Sequence, residues 1–176
     1  MPKIPAIEVL FSKYAYGTPA EVAAIVGGQV KANLLNPKYV EYKDTCAIRV
    51  SHALNQGGDP IPWAGGGVNN PYVGGKVRTD KGGDGKFYIY STLDMRAYLD
   101  TRYGKAERFK MSDKPAEKLQ GRIGIIAFGW VHIDLWFGTK CAKQCYFDHK
   151  NVTEVLFWKT HSISEENGDV ISSAAP

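Results

Sequence analysis

Apolar residues recur at helical spacing through Asp44-Thr45-Cys46-Ala47-Ile48-Arg49-Val50-Ser51-His52-Ala53-Leu54-Asn55, where Ala47, Ile48, Val50, Ala53 and Leu54 make one stripe. This pattern predicts an amphipathic helix with Asp44 or Thr45 as N-cap and Gly57-Gly58 as its stop. An earlier helix is predicted from Thr18-Pro19-Ala20-Glu21, a capping box with proline at the first helical position. Val22, Ala23, Ile25 and Val26 follow it, and Gly27-Gly28 closes it. A third helix begins at Ser91-Thr92-Leu93-Asp94, runs to about Arg102 and ends at Gly104.

The pattern then shifts toward strands. The segment from Gly124 to Gly138 predicts two strands joined by a tight Gly129-Trp130 turn, with His132 on the second, and Phe87–Tyr90 and Thr153–Trp158 are further strands. Residues 57–86 form a loop rich in Gly, Asn and Pro. Loops of that length in a compact domain are more often binding edges or lids than spacers, so Trp63 within it is expected to touch a substrate. Trp130, Trp136 and Trp158 are instead expected in the core or on a sheet face. A lysine-rich turn covers residues 110–120. Helices first and an antiparallel sheet afterwards define an α+β layout, with the helices packed on one side of the sheet. Residues 1–161 are expected to form a single domain and the polar residues 162–176 a disordered tail.

Composition narrows the class. With 176 residues and 44% hydrophobic content, the chain is long enough to bury a real core without staples. Its net charge of +4 is spread along the chain, which argues against nucleic acid as a partner. No run approaches the roughly 20 apolar residues of a membrane span. Met1-Pro2-Lys3-Ile4-Pro5 lacks the apolar run of a secretory signal, so work outside the producing cell is expected to need another export route.

Within this frame Cys46 is the candidate nucleophile. Unpaired N–H groups and the positive end of the helix dipole favour a thiolate at a helix start, and Arg49 lies one turn on. A lone cysteine is more often a small buried core residue. His132, placed much later on a buried strand, shifts the balance toward a cysteine–histidine pair. Cys141 and Cys145 bracket three residues and pair either as a disulfide or as half of a metal site with His149 as a third ligand. The disulfide is preferred because structural zinc takes four ligands.

The stretch from Thr45 to Asn55, with His132-Ile133-Asp134-Leu135-Trp136 and the nearby Cys141 and Cys145, resembles the type VI secretion amidase effector family 4. So do the Gly27-Gly28 helix end and the Tyr88-Ile89-Tyr90 strand, and the likeness covers most of residues 10–160. The resemblance implies a papain-like, NlpC-type cysteine peptidase or amidase. Such an enzyme cuts the bond between D-glutamate and meso-diaminopimelate in peptidoglycan stem peptides. It also implies delivery by a secretion machine into the periplasm of a rival bacterium and a cognate immunity protein in the producer. Cys46 would attack, His132 would carry the proton, and N–H groups at the helix start, that of Cys46 included, would hold the oxyanion. No metal or organic cofactor is implied.

One departure from the family pattern matters. The family places the acid that orients the histidine between the paired cysteines, whereas this chain reads Cys141-Ala142-Lys143-Gln144-Cys145. A lysine ammonium only donates and cannot accept the imidazole N–H. Asp134, two residues along the strand and so on the face of His132, is the expected replacement, with Gln144 and Asp148 as alternatives. Lys143 also leaves open a different function, a non-catalytic wall-binding or immunity-binding module on the same fold.

Overall fold

A computed structural model describes residues 1–40 and 44–166. Order begins earlier than the sequence pattern predicts: Ile7–Lys13 forms helix α1, with Ile7 and Leu10 fully buried. Helix α2, Pro19–Val26, is capped as expected, with the Glu21 N–H donating to Thr18 Oγ1 at 3.3 Å and the Thr18 N–H to Glu21 Oε2 at 2.6 Å. Gly27 and Gly28 do end α2, but they also launch α3, Gly28–Leu35. Both glycines have positive φ, 66° and 61°, and a Cβ on Gly28 would lie 2.5 Å from the backbone of Gly82. The pair is therefore a sharp corner pressed against a neighbouring turn, where the sequence pattern predicts a plain stop.

Helix α4, Cys46–Gln56, and helix α6, Thr92–Arg102, fall where the pattern puts them, and Ser91 Oγ caps α6. Between them, the expected loop carries more structure than its composition suggests. It holds the short α5, Ala64–Gly67, and the antiparallel pair β1, Thr79–Lys81, and β2, Phe87–Ile89. It is also tied inward, because Asn70 is buried and donates to Asp94 at 2.7 Å.

The main sheet has the order β3-β7-β4-β5-β6, with every neighbouring pair antiparallel. Its strands are β3, Glu107–Lys110; β4, Ile123–Phe128; β5, His132–Phe137; β6, Lys140–Cys141; and β7, Glu154–Lys159. Strand β3 has no counterpart in the sequence pattern, and the lysine-rich turn after it winds into a 3-10 turn and the short helix α7, Pro115–Lys118. One face of the sheet, through Ile125, Ala127, Ile133, Leu135 and Leu156, packs on α1, α4 and α6. The other face buries Ile126, Phe128, Trp136 and Phe157 under the segment that returns from β6. This two-layer burial leaves β4 and β5 almost continuously buried rather than alternating, with His132 and Asp134 as the polar members of β5.

Of the expected disordered tail, Ile163–Glu166 is the short helix α8, whose first N–H donates to Glu8. Residues 167–176 lie outside the described residues. Strand β4 also limits what can replace Gly124, where an added Cβ would collide with the Trp158 carbonyl and the Phe157 ring. Gly124→Ala is expected to cost ~3 kcal/mol of stability by overpacking two paired strands. Chemical denaturation reads this directly, and an unchanged midpoint would contradict the packing described.

Candidate active site

Cys46 is the first residue of α4, and α4 is buried on nearly every side, so the position of the sulfur is set by the whole helix. Asp44, exposed just before it, accepts the Cys46 N–H at 3.0 Å. Thr45 occupies the N-cap position, but its hydroxyl is engaged elsewhere, accepting from Arg49 Nε at 2.8 Å. The guanidinium of Arg49 reaches further, donating to the carbonyls of Ala15 and Gly17 at 2.6 and 2.7 Å. Arg49 thus pins the segment before α2 onto α4, an architectural role in place of the expected electrostatic one.

The thiol lies 3.3 Å from Thr92 Oγ1, and the Ile133 backbone is the second polar group acting on it. Both contacts favour a thiolate. They are outweighed: burial first, and the Asp44 charge second, push the Cys46 pKa well above that of an ordinary thiol. The expected lowering by the helix start therefore fails, because the sulfur is 3% exposed and the group capping the helix is itself an anion. Iodoacetamide is expected to alkylate Cys46 more slowly than free cysteine at neutral pH. Its rate should keep climbing past about pH 10, where an ordinary thiol with a pKa near 8.5 has levelled off. A plateau below that pH would contradict the burial argument.

His132, the first residue of β5, is 5% exposed. Its Nε2 faces Asp134 Oδ2 at 3.4 Å, and its Nδ1 is buried with no hydrogen-bond partner among the described residues. A ring nitrogen of His132, Cys46 Sγ and a carboxylate oxygen of Asp44 lie within 4.8 Å of one another. Two aromatic rings lie against the imidazole: Tyr146 at 4.4 Å between centroids and Phe128 at 6.2 Å. These two rings, themselves 6.2 Å apart, pack around one side of it.

Asp134 is completely buried and accepts from three backbone N–H groups, Leu135 at 2.8 Å and Lys143 and Gln144 at 3.0 Å each. The last two belong to the five-residue loop closed by the Cys141–Cys145 disulfide. That loop therefore serves Asp134 through its backbone. The Lys143 side chain is exposed, and the missing acid between the cysteines is answered by a carboxylate two residues from His132. Of the three candidates for the imidazole partner, Asp134 makes the contact, Gln144 supports Asp134 through its N–H, and Asp148 is exposed. The Asp134 charge also reaches the buried Tyr14, whose hydroxyl is pushed well up by burial and then by that charge.

Cys46 borders two cavities. One, about 170 Å³, is lined by Asp44, His132, Lys143, Gln144 and Tyr146. The other, about 450 Å³, is lined by Arg78, Tyr90, Leu93, Trp130 and Val131. Asp44 and Cys46 are common to the two linings. Trp63 lines neither, whereas Trp130, expected in the core or on a sheet face, stands 61% exposed on the rim. Sequence reading missed Thr92, Tyr146 and Trp130. A tryptophan at the tip of a two-residue turn is the one signal that could have flagged an exposed ring.

Thiol and imidazole brought together from a helix start and a sheet strand, on helices layered against antiparallel strands, place the chain in the papain-like α+β class. A family model described as type VI secretion system (T6SS), amidase effector protein 4, matches residues 42–158, and the chain belongs to that family. The effector Tae4 from Salmonella typhimurium, in complex with the immunity protein Tai4 from Enterobacter cloacae, is similar at 30% identity and a TM-score of 0.68. That likeness covers 89% of this chain and 99% of the other. Tae4 from Enterobacter cloacae in its Tae4–Tai4 complex is similar at 28% identity and a TM-score of 0.70, over 89% of this chain and 98% of that one. No curated protein matches by sequence.

Proposed function

We propose that the protein is an antibacterial cysteine amidase that hydrolyses the D-glutamyl–meso-diaminopimelate bond of peptidoglycan stem peptides. The observation that carries this reading is the Cys46 thiol beside the His132 imidazole, at the border of two cavities. Cys46 is the nucleophile, His132 the base and then the acid, and Asp134 the residue that holds the imidazole. Asp134 accepts the Nε2 proton, so Nδ1 presents its lone pair toward the thiol side.

The raised thiol pKa shapes the mechanism. A lone thiolate is disfavoured in this pocket, but passing the proton from Sγ to Nδ1 as sulfur attacks the carbonyl keeps the pair neutral overall and avoids that cost. Proton transfer to the imidazole as the sulfur attacks is the route that this burial favours. The acyl group then sits on Cys46, the imidazolium protonates the leaving amine, and water completes the cycle. The Cys46 N–H, expected at the oxyanion, is taken by Asp44, and the Thr92 hydroxyl stands 3.3 Å from the sulfur as a group able to donate there.

The Tae4–Tai4 complexes support an immunity protein as partner, and the disulfide suits an oxidising compartment such as the periplasm of a target cell. No helix among the described residues is long and apolar enough to cross a membrane. Asp134 answers the missing acid that favoured a non-catalytic binding module. Purified protein incubated with peptidoglycan fragments should release peptides beginning with diaminopimelate, read by mass spectrometry. Unchanged stem peptides would overturn the proposal.

A further inference from the structure

We propose that the same cleft is a reversible inhibitory site for one thiophilic divalent cation of the zinc type, held by Cys46 Sγ, His132 Nδ1 and a carboxylate oxygen of Asp44. Three donors of different elements already converge there, mutually within 4.8 Å. Around zinc, bonds of about 2.0–2.3 Å set donors roughly 3.3–3.8 Å apart, so no pair has to close by more than about 1.5 Å. Asp44 is exposed at the end of the set and is the member free to make that movement.

The independent observation is the imidazole. Nδ1 is buried, lacks a partner among the described residues and belongs to a side chain 5% exposed. Asp134 takes Nε2–H, and this carboxylate–histidine arrangement is the one that fixes a metal-ligating tautomer and strengthens the ring as a donor. The set of sulfur, nitrogen and oxygen suits zinc or cadmium and not the all-oxygen preference of calcium or magnesium. Three protein ligands leave a fourth position for water. Binding exchanges the thiol proton for the cation: the S–H bond breaks, the proton goes to solvent, the sulfur lone pair binds the metal, and no electron changes hands. A sulfur so held cannot attack a carbonyl.

The test uses the full-length protein and no substrate, so its outcome is independent of the amidase reading. Zn2+ is titrated against a metallochromic chelator, and Co2+ is added separately as a spectroscopic probe. One Zn2+ per chain is expected, with a thiolate-to-cobalt charge-transfer band that Cys46→Ser abolishes. Iodoacetamide labelling of Cys46, followed at mildly alkaline pH, should slow with one equivalent of Zn2+ and recover with a chelator. Asp134→Asn should weaken affinity about 10- to 100-fold. Asp44→Asn, which keeps an oxygen for the Cys46 N–H and so preserves the helix start, should weaken it at least as much, and His149→Ala should leave it unchanged. The proposal is overturned if no Zn2+ binds, if bound Zn2+ leaves Cys46 labelling unaltered, or if Asp44→Asn binds as tightly as the parent.

Discussion

Cys46→Ala is expected to abolish amide hydrolysis and to leave the protein folded. The substitution removes one buried sulfur from the first turn of α4, a helix held by its own apolar faces and by Arg49, so the structural cost is about 1 kcal/mol. The chemical cost is expected to be far larger, because Cys46 is the free thiol among the described residues and lies beside the His132 imidazole. Loss of a nucleophile in a coupled nucleophile–base pair lowers turnover by about 10⁶-fold, below what a muropeptide assay detects. Thermal unfolding measured beside turnover separates the two effects. Turnover within tenfold of the parent would remove Cys46 from the chemistry, whatever its surroundings.

Asp134→Asn should produce the next largest loss, and in a form that a merely structural residue would not give. The carboxylate accepts from three backbone N–H groups and from His132 Nε2. An amide in its place must turn an N–H toward one of those donors in either orientation, leaving at least one buried N–H unpaired at ~1–3 kcal/mol. It also frees the imidazole to take the wrong tautomer, with Nδ1 protonated and unable to accept from sulfur. In serine proteases, replacing the triad aspartate by asparagine costs about 10⁴-fold through the same change of tautomer, and a fall of about 10³- to 10⁴-fold is expected here. Lys143→Ala is the contrasting variant. It keeps the backbone N–H that reaches Asp134, so turnover should stay within a few-fold of the parent. A collapse in Lys143→Ala with little change in Asp134→Asn would reverse the assignment of the third residue.

Much of the fold is legible from local pattern. The stripe around Cys46 finds α4, the Thr18–Glu21 box finds α2, and Gly129-Trp130 finds the β4–β5 turn. Each of those signals is short-range: a cap, a period or a turn that works by itself. Helices α1 and α3 escape such a reading because their stability rests on packing. Ile7 and Leu10 are fully buried by distant residues, and α3 starts from a glycine corner that matters only because residues 82–83 press against it. Strand β3 escapes it for a similar reason, since its residues are largely exposed and β7 alone recruits them.

By its order along the chain, the sequence determined that a helix-start thiol and a strand-borne imidazole exist, and that a carboxylate two residues on shares the strand face. It also determined that two close cysteines form a unit. Only the tertiary structure decided what these groups feel. It placed Asp134 against Nε2, recruited Lys143 through its backbone rather than its side chain, and moved Trp130 to the rim in place of Trp63. It also buried the sulfur deeply enough to reverse the expected direction of its pKa. The physical reason is range: caps and periodicities act between near neighbours, whereas desolvation and convergent hydrogen bonds depend on residues far apart in the chain arriving at one point.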